Sequence, residues 1–503
     1  MLVACLGAFA AYLPITTATV SLGAISRATG ADTSSLQWVT SALVLPMAAF
    51  ILSFGLFGDL FGRKRIFVLG LLTCALGGGV SVLAGAFSGP TAVHILWAGL
   101  AIAGTGAAAL IPSTLAIISH AEPDPRHRSH LIGAWAMSLV VALVAGVYIG
   151  AGLLIVAPWK WVFAPAVVLA LLAACLGWRL LEESNAREGR RIDWPGQLTA
   201  LAGMAGLVYG VIEGGSAGWG SAYAIAGLAI GAAGLTAFVA VESRTPAPML
   251  PLKLFRHPTF AAASAASVLA MFSFIGLAFL LSLYFGDVKE LDALGVADRL
   301  VALFGACALA SRIAGHLMKR FDSRLVLLAG QVIAALGCLS LVQIDFGTSL
   351  GGADWRMAVV GAGMGLVLPS MTASAVNSVP HHVVGAASAG INAIRQLGGA
   401  IGPAVFGVLL TTWATSNLGR RLRQLGPAGQ QVLTAVQRLG ATPVARQLAA
   451  NHAHSPVLGA FSASQTSALH RCALVAATAY ALGAVICTLT HARQIRSAKK
   501  VTW

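Results

Sequence analysis

The sequence predicts an all-α integral membrane protein with fourteen transmembrane helices, and three observations carry this prediction. Of the 503 residues, 57% are hydrophobic and only 10% are Asp, Glu, Lys or Arg, against roughly 25% charged residues in a typical soluble domain. The mean hydropathy is +0.83. The apolar residues form long runs and do not alternate with the period of two that marks a β-barrel strand. A soluble enzyme, a disordered chain and a secreted disulfide scaffold are therefore excluded.

Each predicted span is an apolar run long enough to cross the hydrocarbon core, which takes about 20 helical residues. Fourteen such runs follow one another along the chain. They lie at 2–25, 37–58, 66–87, 93–119, 131–154, 161–181, 196–214, 222–241, 259–285, 297–317, 325–344, 356–377, 387–412 and 471–490.

The distribution of Lys and Arg predicts which side of the membrane each connection faces. With the N-terminus inside, the inner connections and the C-terminal tail hold 19 basic residues, whereas the short outer connections hold 5. Basic residues concentrate on the cytoplasmic side of membrane proteins. We therefore expect a multi-pass protein of the plasma or inner membrane of a cell, with both termini in the cytoplasm. The same rule accounts for the net charge of +15, so nucleic acid is not an expected partner.

The largest predicted extramembrane segment is the outer loop at 413–470. It contains no Asp or Glu and has helix-like apolar spacing around Val432–Leu448. This pattern predicts an amphipathic helical cap in solution or at the membrane surface. A role in binding a partner or in gating a substrate is the alternative.

Two motifs recur along the chain at nearly constant spacing. The pattern Gly104-x-Gly106, with Pro112-Ser at its end, returns 257 residues later. The loop GLFGDLFGRKR at 55–65 has a weaker copy, GHLMKRFDSR, at 315–324, which is 260 residues later. Both spacings correspond to eight spans, an even number, so the two copies have parallel topology.

The repeat predicts how the spans are grouped. We expect an N-terminal six-helix half at 1–195, two linker helices at 196–256 and a C-terminal six-helix half at 257–503. Two parallel halves related by an axis along the membrane normal are a transporter plan, with the substrate at their interface near the midplane.

The loop between spans 2 and 3, GLFGDLFGRKR, is the most specific motif of the chain. Gly55 and Gly62 allow close helix approach and a tight turn. Asp59 stands where its carboxylate can pair with Arg63 or accept hydrogen bonds from a helix N-terminus. Together with Lys64, these residues are predicted to form a gate that holds in one conformation and releases in another. The alternative is a positive-inside anchor with a helix-ending glycine.

This loop resembles the signature of the major facilitator superfamily, and further segments resemble its fourteen-helix drug:proton antiporter branch. The resemblance implies a major facilitator fold and secondary active export of hydrophobic or cationic small molecules, of the drug or antibiotic type, by alternating access driven by protons. Those further segments are LQWVTSALVL (36–45), PWKWVF (158–163), IDWPG (192–196), VYGVIEGGSAGW (208–219), LPLKLFRHPTF (250–260) and VPHHVVGAASAGINAIRQLGGAIG (379–402).

The chain departs from the pattern of this branch at positions that usually carry charge. Pro14 stands where span 1 of the branch has an acidic residue, and Leu100 and Ala103 replace the Arg and Gln of span 4. Coupling to protons therefore has to use Glu213, a histidine or the substrate itself, or is missing.

Spans 4 and 5 keep the small residues of the resembled pattern. Gly104 and Gly106 in span 4 and Gly146 and Gly150 in span 5 allow a neighbouring helix to approach closely. With Pro112, which interrupts the hydrogen bonding of span 4, they are predicted to let these helices rock beside a substrate cavity.

Ionisable residues inside a membrane are costly and mark functional sites. Among the carboxylates, only Glu213 and Asp298 fall within a predicted span, both toward its outer end. Arg395 lies deeper, in span 13, flanked by Asn392 and Gln396. We interpret Glu213, Asn392, Arg395 and Gln396 as candidate substrate or coupling residues. Structural roles are the alternative: an outer-interface or capping role for Glu213 and a role in fixing the second half for Arg395.

Sequence signatures of other mechanisms are missing. The sequence contains no GxxxxGK[ST] phosphate loop, nucleophile elbow or metal-ligand cluster, so we expect neither an enzyme nor a bound cofactor or metal. The expected partners are a small-molecule substrate, the lipid bilayer and, if coupling is retained, protons. Two other hypotheses stay open at this point, a non-transporting membrane sensor or assembly partner and a facilitator or uptake carrier.

Overall fold

The computed structural model describes residues 1–122, 125–184, 193–246, 248–345, 347–379, 384–439 and 456–501. Fourteen of its helices are long and apolar enough to cross a membrane, which confirms the predicted all-α architecture. The helices are α1 (Leu2–Thr29), α2 (Thr33–Phe61), α3 (Arg63–Leu83), α4 (Gly89–Ala121), α5 (Pro125–Val156), α6 (Ala164–Leu180), α7 (Trp194–Ser216), α8 (Ala222–Arg244), α9 (Pro258–Leu283), α10 (Ala293–Leu317), α11 (Ser323–Leu341), α12 (Leu350–Val376), α13 (Val384–Gln424), α14 (Gly426–Leu439) and α15 (Pro456–Val501).

The helix ends lie at two opposite faces of the bundle. We call the side of the α1–α2 turn the Gly30 face and the side of the α2–α3 turn the Gly62 face. Both turns use a glycine with positive φ, 74° at Gly30 and 110° at Gly62, a conformation that other residues adopt only at a cost. At the Gly30 face the Asp32 side chain then caps α2 by accepting a hydrogen bond from the backbone N–H of Ser35 at 2.9 Å, as expected for an N-cap aspartate.

The predicted internal repeat has a counterpart in the helix packing. A Cβ on Gly104 of α4 would overlap the carbonyl oxygen of Leu43 in α2, and a Cβ on Gly361 of α12 would overlap the carbonyl oxygen of Leu303 in α10. Two helix pairs in different halves therefore cross at backbone contact through glycines at the same position of the repeat. Close crossings of this kind are the packing that small residues permit in membranes.

The two groups of six helices, α1–α6 and α9–α13 with α15, meet through α2 against α13 and α5 against α10. The helices keep their apolar side chains in one continuous buried cluster that includes residues of both groups. Within the described residues, the hydrogen bonds that cross between the groups lie at mid-depth or toward the Gly30 face and join the groups there. Among them are Ser41 to Ala400 at 3.3 Å, Ser282 to Thr19 at 2.6 Å and Tyr148 to Asp298 at 3.2 Å.

The helices α7 and α8 form a hairpin on the outside of this bundle. Only 17% of the apolar stretch of α8 is buried, so α8 presents most of its surface to the surroundings, whereas Val208 and Ile212 of α7 pack with Val44 of α2 and with Ala400 and Ala404 of α13. The hairpin is thus attached to both halves through α7. Its two helices touch at backbone distance at the glycine pairs Gly203–Gly234, Gly206–Gly231 and Gly210–Gly227.

The helices on both sides of the outer loop at 413–470 are longer than the apolar runs that bound it. The helix α13 continues to Gln424 and α15 begins at Pro456, because helical hydrogen bonding does not stop where the apolar run stops. Leu418 and Leu422 of α13 pack against Phe461 of α15 in a small separate apolar cluster. The expected helical cap around Val432–Leu448 coincides in part with α14, and its residues 440–448 lie outside the described residues.

The helices also enclose more carboxylates than Glu213 and Asp298, the two that fall within the predicted spans. Since the helices extend beyond their apolar runs, Glu242 lies inside α8 and Asp354 lies inside α12. Asp354 is held by an ion pair with Arg299 of α10, with 2.5 Å between Arg299 Nε and the carboxylate. Glu242 is buried.

Candidate functional site

The gate predicted around Asp59 is organised by the turn at Gly62. The helix α2 ends there and α3 begins at the next residue. The Asp59 carboxylate lies 3.1 Å from Arg63 Nη2, and the two side chains are only 17% and 20% exposed. A partly buried ion pair of this kind is stronger than one in free solvent, because less water screens it.

The same turn is bonded to the end of α6. The Arg63 N–H donates to the carbonyl of Ser184 at 2.9 Å, and the Lys64 N–H donates to Glu183 Oε1 at 3.1 Å. The Lys64 ammonium also stands 5.4 Å from the centre of the Trp178 ring, within the range of a cation–π contact. In this conformation the turn is therefore held by residues of its own half.

The predicted packing glycines stand at helix crossings within the first half. A Cβ on Gly106 would lie 2.5 Å from the carbonyl oxygen of Gly70 in α3. In α5, a Cβ on Gly146 would lie 2.8 Å from the Leu13 carbonyl oxygen, and one on Gly150 would lie 2.7 Å from Val20 Cγ1. These glycines therefore bring α4 to α3 and α5 to α1 at distances that no larger residue permits.

Pro112 and Gly55 stand where α2 meets α4 near the Gly62 face. A Cβ on Gly55 would lie 3.5 Å from Pro112 Cβ, an ordinary van der Waals distance. Gly55 is therefore not required at this crossing in the way that Gly104 is. The proline lies inside α4, where it removes one helical hydrogen bond and allows the helix to bend.

Arg395 and Gln396 bring polar groups to mid-depth between the halves. Arg395 is eleven residues into α13, about 16 Å along the helix. Its Nη2 donates to the Tyr12 hydroxyl of α1 at 3.0 Å, and Gln396 Nε2 lies 3.0 Å from the sulfur of Met47 in α2. Arg395 Nε is buried and has no hydrogen-bond partner within the described part of the chain. This donor is therefore unused in this conformation.

The other two candidates do not join this group. Asn392 donates to the carbonyl of Ser388 on its own helix at 2.8 Å. Glu213 lies in the last turn of α7 near the Gly30 face, where the adjacent Gly215 packs against Val408 of α13. Since Val408 is thirteen residues beyond Arg395, about 20 Å separates the two levels along α13.

Sequence reasoning missed the partners that the fold brings to these helices. Tyr12 and Met47 carry no charge and lie in apolar runs, so composition does not distinguish them. Gln197 was also missed: its side chain amide donates to the Ala49 carbonyl of α2 at 3.1 Å, and its oxygen accepts from the Ser53 hydroxyl. A buried amide in a spanning helix is a usable signal, because it has to find partners there.

Known proteins resemble the chain in both sequence and fold. The multidrug resistance protein Stp of Mycobacterium tuberculosis is 31% identical over 427 residues, which cover 84% of this chain and 77% of that protein. The tetracenomycin C resistance and export protein of Streptomyces glaucescens is 27% identical over 463 residues, covering 90% and 84% of the two chains. A solved bacterial homologue of the human lysosomal transporter Spinster matches with a TM-score of 0.62 at 17% identity, covering 97% and 96%.

The family model that matches is that of the Major Facilitator Superfamily, over residues 4–403. This range includes the α2–α3 turn, the packing glycines of α4 and α5, and Arg395. The resemblance read from the loop motif is confirmed, and the chain belongs to the major facilitator superfamily.

Proposed function

We propose that the protein is a secondary active transporter that exports hydrophobic small molecules of the drug or antibiotic type across a bacterial cell membrane. The observation that carries this proposal is the meeting of the two halves at mid-depth, where Arg395 of α13 reaches Tyr12 of α1. In a two-half transporter the substrate site lies at this level and between these parts. The relatives named for multidrug resistance and for tetracenomycin C resistance and export support the same assignment.

The proposed orientation places the Gly62 face in the cytoplasm. The basic residues favour it, with 19 on that side against 5 in the short connections of the other side, as the positive-inside rule requires. Both termini are then cytoplasmic. The hydrogen bonds between Ser41 and Ala400 and between Ser282 and Thr19 then close the outer side in this conformation.

Alternating access would proceed by rocking of the halves, which we assign to 1–195 and 257–503. The outer contacts break as the α2–α3 turn changes its partners at the cytoplasmic side. We assign the Asp59–Arg63 pair and the bond of Lys64 to Glu183 to this gate, since ion pairs and hydrogen bonds can exchange between two discrete arrangements.

Arg395 narrows the class of substrate. A guanidinium at mid-depth with an unpartnered Nε attracts an acceptor or an anionic group and repels a cation. The proposed substrates are therefore neutral or anionic hydrophobic compounds, and cationic dyes are expected to be poor substrates. Export would draw on the proton gradient.

The test is export from cells that carry or lack the gene, with a panel of neutral, anionic and cationic hydrophobic compounds. We expect the gene to lower the accumulation of neutral and anionic members. We expect Arg395→Gln to reduce this export by about tenfold or more, since a buried charge contact is lost. Arg312→Gln is the matched control, because Arg312 lies in α10 and is exposed.

Two results would overturn the proposal. Equal accumulation of every compound with and without the gene would contradict transport and would favour a sensor or assembly role. Export of cations at the rate of neutral compounds, unaffected by Arg395→Gln, would contradict the assignment of Arg395 to the substrate site.

A further inference from the structure

Two buried carboxylates meet at the base of the α7–α8 hairpin, at the Gly62 face. Asp193 directly precedes α7 and is 5% exposed, and Glu242 lies two residues before the end of α8 and is 3% exposed. Each uses one oxygen in a structural bond. Asp193 Oδ1 accepts from the Gly196 N–H at 2.8 Å and so caps α7, and Glu242 Oε2 accepts from the Leu250 N–H at 3.1 Å.

Within the described residues, the second oxygen of each carboxylate makes no hydrogen bond. Asp193 Oδ2 and Glu242 Oε1 are both buried and unpaired within the described residues. Both face the same point: a Cβ on Gly196 would lie 2.6 Å from Asp193 Oδ2 and 3.0 Å from Glu242 Oε1. Glycine at 196 therefore leaves the space in which the two oxygens approach each other.

Two ionised carboxylates cannot share a buried position of this kind. Burial disfavours the charged form of Glu242, and the like charge of Asp193 disfavours it further. The N-terminus of α7 stabilises one negative charge at Asp193, but not a second. The stable arrangement is then one proton between the two groups, as in other carboxylate dyads.

On the neighbouring elements that the structure describes, the charged groups do not pair with the two carboxylates. They are Arg244 on α8, Lys253 and Arg256 in the short helix before α9, and the Asp59–Arg63 pair on α2 and α3. Within the described parts of the chain, none of these basic side chains forms an ion pair with Asp193 or Glu242.

We propose that Asp193 and Glu242 form a proton-binding site in which their facing oxygens share one proton. The site is connected to α2, the helix that carries Asp59. Gln197, which follows Gly196 in α7, bonds to Ala49 and Ser53 of α2. Loss of the shared proton would leave two facing charges, which loosens the base of the hairpin and its hold on α2. As a coupling site the pair rests on the proposed transport function, whereas the binding of the proton does not.

The proton is tested directly by infrared spectroscopy of the full-length protein purified in detergent, following the carbonyl band of protonated carboxyl groups as the pH is raised. The wild-type protein is expected to keep a protonated carboxyl near neutral pH, and Glu242→Gln to lose it. Asp193→Asn is expected to move the titration of the protonated carboxyl band to lower pH, because the like charge beside Glu242 is removed. Glu182→Gln, at an exposed carboxylate, is expected to match the wild type.

An unchanged band in Glu242→Gln would overturn the site, and an unchanged titration in Asp193→Asn would overturn the sharing. If one variant does not fold, as judged by its thermal unfolding, the infrared result of the other variant decides whether the proton is bound there. In proteoliposomes, Glu242→Gln is expected to lose transport driven by a pH gradient while keeping equilibration down the substrate gradient. Absence of pH-driven transport in the wild type would contradict proton coupling, and the infrared result would still decide the site.

Discussion

The two halves of the molecule are alike in their helix crossings and different in their turns. Gly104 and Gly361 occupy equivalent positions and press against the carbonyl oxygens of Leu43 and Leu303. The corresponding turns at the Gly62 face have diverged. In the first half, Gly62 has a φ of 110° and Asp59 pairs with Arg63.

In the second half the turn before α11 is built differently. Asp322 accepts from the Arg324 N–H at 2.9 Å and caps α11, and the distance from Arg324 Nε to the same carboxylate is 3.9 Å. The acidic residue here therefore shapes a helix start, whereas Asp59 closes an ion pair across a turn. Both halves therefore share the same backbone packing, whereas the Asp59–Arg63 ion pair that we assign to gating lies in the first half.

The largest expected effect tests the shared crossings. Gly104→Ala and Gly361→Ala each place a Cβ onto a backbone carbonyl that no side-chain motion relieves, so each is expected to cost about 2–3 kcal/mol of stability. The measurement is the thermal unfolding midpoint of the purified protein. Gly79→Ala is the control, because a Cβ there has no neighbour within 4 Å.

Similar losses of thermal stability in the two variants would support the conclusion that the two halves pack alike at these crossings. If the variant of Gly104 or Gly361 unfolds at the same temperature as Gly79→Ala, this conclusion is contradicted. The helices would then be able to separate at that crossing without a cost in stability.

The helices and the repeat were predictable because both depend on local sequence. The length of an apolar run predicts a spanning helix, and the spacing of the crossing glycines predicts the repeat. The helix ends were not predictable, as α13 shows by continuing to Gln424. The meeting of Asp193 with Glu242 was not predictable either, because the packing of the whole α7–α8 hairpin decides whether its two ends are adjacent. Arg395 was identified from its depth, but not its partner Tyr12, whose hydroxyl comes from the other half.

The next effect tests the difference between the turns. Asp59→Asn removes the charge that pairs with Arg63, and we expect export to fall by about tenfold, equivalent to a shift of about 1.4 kcal/mol between gate conformations. Asp322→Asn is the matched variant in the second half and is expected to change export little, because Asn caps a helix start nearly as well as Asp. Both rates are measured with a substrate identified in the accumulation panel, after normalising to the amount of protein in the membrane.

Equal losses of export in the two variants would contradict the assignment of gating to the first half. Unchanged export in Asp59→Asn, with normal insertion, would remove Asp59 from the gate altogether and leave the turn as a positive-inside anchor.

The smallest effect concerns the contact between the α2–α3 turn and α6. Glu183 accepts from the Lys64 N–H and lies 3.6 Å from Arg65 Nε, where the two side chains are 34% and 69% exposed. Glu183→Gln keeps an acceptor for the N–H and loses only this solvent-screened charge pair, so the cost in stability is expected to be less than about 0.5 kcal/mol. The cost should shrink further in high salt, which screens an exposed pair. A larger loss that does not respond to salt would mean that Glu183 holds the turn by its charge.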